Sequence, residues 1–165
     1  MAKAPPPTKP AKGEWWEKEG VRFECQGSGN CCVSRGEYGF VYLNGKDRVA
    51  MTKAFNAKTG SKLKTIEFMN QYCEKTDGVW HLKETRANGD CVFLEGGNRC
   101  GVYEGRPAQC RTWPFWPEVM NAKTWKKEVS SFCPGIGKGK LYTPDEIRKI
   151  VDAQSKSEDD LVNGR

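Results

Sequence analysis

Apolar positions in this chain fall in short, separated groups, and only a few of them keep a helical period. Residues 62–75 place Ile66, Met69 and Cys73 at i, i+3 and i+7, the stripe of an amphipathic helix that puts Cys73 on its buried side. Residues 47–57 carry Met51 and Phe55 at i, i+4, with Gly60 beyond them as a stop. The third helix announces itself by its start: Thr143 as N-cap, Pro144 at the first helical position, and the capping-box Glu146 three residues on. Ile147, Ile150 and Val151 form its apolar side, and residues 155–165 read as a polar, frayed tail. Strands are predicted from Val21 to Cys25, over residues 37–43 up to a turn at Asn44 and Gly45, and over residues 79–83.

The pattern breaks down at residues 91–117, CVFLEGGNRCGVYEGRPAQCRTWPFWP. Its three prolines exclude one long helix or a central strand, since each removes a backbone donor and fixes its own φ. A chain of turns is predicted instead, and turns need something at their centre. Thiolates from Cys91, Cys100 and Cys110 converging on a metal ion supply it.

Composition points the same way. Only 37% of the 165 residues are hydrophobic, and 18 glycines and 9 prolines leave much of the chain irregular, so a modest core needs reinforcement. Eight cysteines offer it. The N-terminus has no apolar leader and no long apolar run occurs, so a cytoplasmic location with reduced thiols, no membrane span, and metal in preference to disulfides are expected. The formal charge of +6 is weak support for nucleic-acid binding, because a four-thiolate zinc site carries about two negative charges of its own. Residues 1–13, rich in Pro, Lys and Ala, read as a flexible basic arm, and Trp15 and Trp16 mark where packing begins. Residues 14–154 then form the metal-binding domain. The fold class expected is α+β: a small, irregular, loop-rich single domain with short strands and about three helices around a cysteine metal cluster.

The cysteine-bearing stretches also carry a resemblance. FECQGSGNCC, then CVFL, then RCGVYEGRPAQCRTWPF, then SSFCPGIGKG follow in order from Phe23 to Gly139. Together they resemble the YkgJ-type cysteine-cluster family, the CxxCxxCC zinc- or iron-chelating domains, which include a flagellin lysine N-methylase. The resemblance implies metal ligation by Cys25, Cys31, Cys32, Cys91, Cys100, Cys110 and Cys133. One position departs from the family pattern: Ser28 stands where it has a second cysteine. Serine oxygen is a poor ligand for zinc or an iron–sulfur cluster, so Ser28 is expected to support the site through a donated hydrogen bond. Gly27 and Gly29 permit the positive φ that lets this loop curl.

Spacing alone does not separate zinc from iron or an iron–sulfur cluster. Zinc is favoured slightly, as the commoner all-thiolate structural metal, while Cys133-Pro134 and the aromatics Trp113, Phe115 and Trp116 suit a screened iron–sulfur site. Arg106 and Arg111 flank Cys110 and are expected to hydrogen-bond sulfur or hold a carboxylate such as Glu104. Cys73 reads as a small buried hydrophobe, and His81, the sole histidine, as structural or exposed. Cys100 and Arg106 satisfy C-x5-R, yet Arg99 and Pro107 are the wrong neighbours for a phosphatase loop. No catalytic constellation stands out. Three readings follow: a metal-binding protein with a partner-facing surface, a protein-modifying enzyme of the methylase type, and an iron–sulfur electron carrier. The partner expected is an unidentified protein, with nucleic acid disfavoured.

Overall fold

A computed structural model describes residues 13–30, 40–85 and 89–164. The expected arm up to residue 12, the pair Cys31 and Cys32, and the start of the strand predicted at residues 37–43 lie outside them. The chain is α+β, and it gathers into two compact units: Met1–Gln26 with Thr112–Lys156, and Gly27–Arg111 with Ser157–Arg165.

In the first unit a one-turn helix, α1 (Trp16–Glu19), leads into β1 (Val21–Phe23). A 3-10 turn (Pro117–Val119), α5 (Ala122–Thr124) and a π-helical turn (Trp125–Ser130) follow, then β6 (Lys140–Tyr142) and the long helix α6 (Pro144–Val162). β1 and β6 pair antiparallel in the register Val21↔Tyr142 to Phe23↔Lys140, and an isolated bridge joins Phe23 to Ile136. Apolar residues that are scattered in sequence meet in one core: Trp16, Val21, Phe115, Val119, Met120, Trp125, Val129, Ile147 and Val151. Each large side chain there contributes about 1.5–3 kcal/mol by leaving water. The Trp16 indole N–H reaches the Met120 carbonyl at 3.1 Å, so its one polar atom is satisfied.

The second unit opens with helix α2 (Gly45–Thr59), which begins at Asn44 and not after a turn there. Asn44 accepts the Asp47 N–H at 2.9 Å, and Asp47 accepts the Asn44 N–H at 3.2 Å, a closed capping box. Gly60 ends the helix at φ 71°, the stop expected from sequence. Helix α3 (Thr65–Tyr72) is shorter than its period suggested, and the chain turns at Cys73 into the hairpin β2 (Cys73–Thr76) and β3 (Val79–Leu82). Cys73 is therefore a strand residue, and Ile66, assigned to the buried stripe, is 57% exposed. Of the strand predicted at residues 37–43, the described part is an extended segment that meets β3 through the Tyr42↔His81 bridge, with Leu43 N–H to Trp80 and Leu82 N–H to Val41. Two-residue strands β4 (Leu94–Glu95) and β5 (Arg99–Cys100) form a second hairpin. A 3-10 turn (Tyr103–Gly105) and α4 (Ala108–Thr112) complete the turn-rich segment. This core joins Leu43, Met51, Phe68, Met69, Cys73, Leu82, Phe93 and Val102, with Phe68 and Phe93 stacked at 5.8 Å.

α2, α3 and α6 are the three helices read from sequence, and the remaining ones among the described residues are short, of five residues at most apart from the π-helical turn. α6 is longer than expected, because helix continues to Val162 through the residues read as a frayed tail. Two polar residues sit buried along it: Gln154, which accepts the Thr112 hydroxyl, and Ser157, which accepts the Asn44 amide at 3.0 Å.

Candidate metal centre

In the first unit, Cys25 lies just past β1 and is exposed, while Cys133 follows the π-helical turn and is half-buried. The backbone around both is fixed. Glu24 N–H donates to Gly135 at 3.2 Å, Cys133 N–H donates to Val129 at 2.8 Å, and the Cys133 carbonyl accepts from Ile136.

In the second unit, residues 27–30 carry Ser28, with Gly27 and Gly29 both at positive φ as the sequence required. Gly29 is irreplaceable there: a Cβ would collide with the Gly97 carbonyl and lie 2.8 Å from Asn98 Cα, on the β4–β5 turn. Ser28 is exposed, and its hydroxyl accepts the Asn30 N–H at 3.3 Å, a local turn bond.

Three more cysteines share this unit. Cys91 bridges Glu84, and its carbonyl accepts Leu94 N–H at 2.9 Å, while Cys100 pairs directly with Leu94. Cys100 ends the β4–β5 hairpin and Cys91 lies three residues before it, and both pack half-buried against the core of Phe93 and Val102. Cys110 sits, half-buried, in α4, whose first turn is closed by its own N–H to the Pro107 carbonyl at 3.0 Å. Among the described residues, no three of these groups are gathered closely enough to hold a metal ion, and Cys31 and Cys32 lie outside the described residues.

The arginines are placed differently from each other. Arg111 donates to the Arg106 carbonyl at 2.7 Å and lies 4.0 Å from the Asp47 carboxylate. Arg106 lays its guanidinium over the Tyr103 ring at 3.5 Å, with a buried Nε that has no hydrogen-bond acceptor among the described residues. Neither pairs with Glu104 among the described residues, so that expectation is corrected: the carboxylate facing Arg111 is Asp47. Asp47, missed from sequence as a site residue, is 2% exposed, and burial holds its pKa above the usual carboxylate value against the lowering effect of its N–H donors. Its only sequence signal was the Asn44-x-x-Asp47 spacing of a capping box.

Two candidates are accounted for without metal. Cys73 is 4% exposed, and burial pushes its thiol up to about 11. His81 is buried and stacked on Phe40 at 3.8 Å. Its Nδ1 donates to the Leu82 carbonyl, which can only accept, so in the neutral ring Nε2 takes the Thr76 hydroxyl proton at 2.9 Å. The sole histidine is thus engaged in the fold.

Residues 24–134, more than half of the chain, match the CxxCxxCC family, described as "Putative zinc- or iron-chelating domain". Two proteins of Methanocaldococcus jannaschii are similar. The uncharacterized protein MJ0661 is 28% identical over 140 residues, 81% of this chain and 68% of that protein. The uncharacterized protein MJ0939 is 28% identical over 128 residues, 74% of this chain and 40% of that protein. No solved structure matches.

Proposed function

We propose that this chain, which belongs to the CxxCxxCC family, is a metal-binding protein whose thiolates bind zinc in preference to iron and whose metal maintains the fold. The ligands are drawn from Cys25, Cys31, Cys32, Cys91, Cys100, Cys110 and Cys133, with Arg106, Arg111 and Ser28 in support. The observation that carries this reading is the contrast among the thiols of the second unit. Cys73 is sealed in the core and held protonated, whereas Cys91, Cys100 and Cys110 sit half-buried on a loop, a two-residue strand and a one-turn helix. Bound metal supplies binding energy that is also folding energy for such turns. A protein partner and a cytoplasmic location go with this reading.

Metal analysis of anaerobically purified protein, with its visible spectrum, tests the proposal. Stoichiometric zinc and no visible absorption is the expected result. Intense absorption with stoichiometric iron moves the assignment to iron–sulfur, and the absence of any metal overturns it.

A further inference from the structure

We infer that Asp47 and Gln109, neither of them a thiol or an expected ligand, form a clamp that positions the Cys110 thiolate for metal binding. The inference rests on the metal-binding reading above. Helix α4 is one turn long, too short to hold its own geometry, because a single turn gains few hydrogen bonds for the dihedrals it fixes. Its first N–H groups have no partner inside the helix. Asp47 answers one of them: its Oδ1 accepts Ala108 N–H at 2.9 Å while its Oδ2 accepts Asn44 N–H at 3.2 Å. The carboxylate that starts α2 therefore also starts α4, across 61 positions of sequence.

Gln109 holds the next residue. Its side-chain oxygen accepts Tyr42 N–H at 3.0 Å, and its side-chain nitrogen donates to the Phe40 carbonyl at 3.3 Å, as a neighbouring strand's backbone would do. Tyr42 is in turn bridged to His81 in β3, so the grip is on a fixed segment. Ala108 and Gln109 are tied to separate elements, and Cys110 follows immediately. Asp47 is anchored as well, through the Asn44 side chain that accepts its N–H and donates to Ser157 at 3.0 Å. Burying a carboxylate at 2% exposure costs free energy unless its oxygens are satisfied, and here they are occupied by the N–H groups that fix the helix.

The test uses full-length protein loaded with zinc, and reads zinc release to a chromophoric chelator for wild type, Asp47→Asn and Gln109→Ala. Ile147→Ala, a change in the core of the first unit, serves as a control matched for loss of thermal stability. The clamp predicts release about tenfold faster in both clamp variants, and near the wild-type rate in Ile147→Ala. Wild-type release from both clamp variants, or equally fast release from Ile147→Ala, overturns it. A second measurement does not depend on metal: in metal-free reduced protein, alkylation of Cys110, read by peptide mapping, should be several-fold faster in Gln109→Ala than in wild type. A wild-type protein that takes up no zinc overturns the metal reading, and the alkylation rates then decide the clamp, unchanged rates ending it.

Discussion

The two units treat their cysteines in opposite ways. The first builds a core from Trp16, Phe115, Trp125 and their aliphatic neighbours, and its two cysteines stay out of it: Cys25 is exposed and Cys133 half-buried. The second draws in three of its four described cysteines. Cys73 lies inside the core, and Cys91 and Cys100 pack against it. Under the proposed function the difference locates where metal matters most, because tryptophan burial supports the first unit, whereas two-residue strands and a one-turn helix gain little from their own hydrogen bonds. Removing metal is the strongest way to break this contrast. On chelation under reducing conditions, hydrogen exchange should show residues 89–110 losing at least about 3 kcal/mol of protection, a fraction of the roughly 10 kcal/mol that structural zinc contributes in small domains. Residues 113–151 should lose much less. Equal loss in both regions would show that the tryptophan core depends on the metal as much as the hairpin does.

Cys73 sharpens the comparison from within the second unit. It is the one described cysteine whose burial is complete, so Cys73→Ala should cost about 1–2 kcal/mol through the cavity left, with metal content unchanged. The thiol's pKa is raised from 9.0 to about 11 by desolvation. A raised value means that the folded state binds the proton more tightly, so this stabilisation is complete below pH 9 and is lost as pH rises through 11. Wild type should accordingly lose about 2 kcal/mol over that window in denaturant titrations, and Cys73→Ala should not. An equal alkaline loss in both would assign it to other groups.

What could be read from sequence was what is decided locally. Thr143, Pro144 and Glu146 mark the start of α6 because a cap depends on residues within one turn, and the Thr143 and Glu146 bonds are those the spacing implies. The far end was misread for the complementary reason. Gln154 and Ser157 look like surface residues until Thr112 and Asn44, far away in sequence, provide partners. Cys73 was placed on a helix because its spacing from Ile66 and Met69 fits, yet pairing with Leu82 ends the helix one residue before it, a tertiary effect that overrides periodicity. The site divides likewise. The turn-rich character of residues 91–117 and the positive φ of Gly27 and Gly29 follow from residue type, whereas Asp47 reaches α4 only through folding.

The arginine pair gives a smaller effect. Arg111 ties the α4 turn to the Arg106 carbonyl and faces Asp47, while Arg106 is spent on the Tyr103 ring. Arg111→Ala should therefore weaken metal retention more than Arg106→Ala, by a few-fold in a chelator competition. Equal retention would mean that the Arg106 carbonyl bond does nothing for Cys110. Because the Arg111 side chain is half exposed, its distant pairing with Asp47 is screened and the hydrogen bond carries the difference.

The smallest effect belongs to Ser28, which stands where the family pattern has a cysteine. Its hydroxyl accepts one bond at 3.3 Å from Asn30, two residues along an exposed loop, and such a bond contributes about 0.5–1 kcal/mol. Ser28→Ala should keep the native metal content and lose no more than that in stability. Ser28→Cys bears more directly on the comparison, because it adds a thiol to the unit that already draws most of its described cysteines inward. Gly29, packed on the β4–β5 turn, holds the loop beside the hairpin that carries Cys100, so the new thiol enters a fixed backbone. If ligand number limits the site, metal per chain should rise or its release should slow. Unchanged content and release in Ser28→Cys would mean that the thiolates already present complete the coordination. Stoichiometric loss of metal in Ser28→Ala would instead make the hydroxyl a ligand, and the loop would join the hairpin as part of the metal's first coordination sphere.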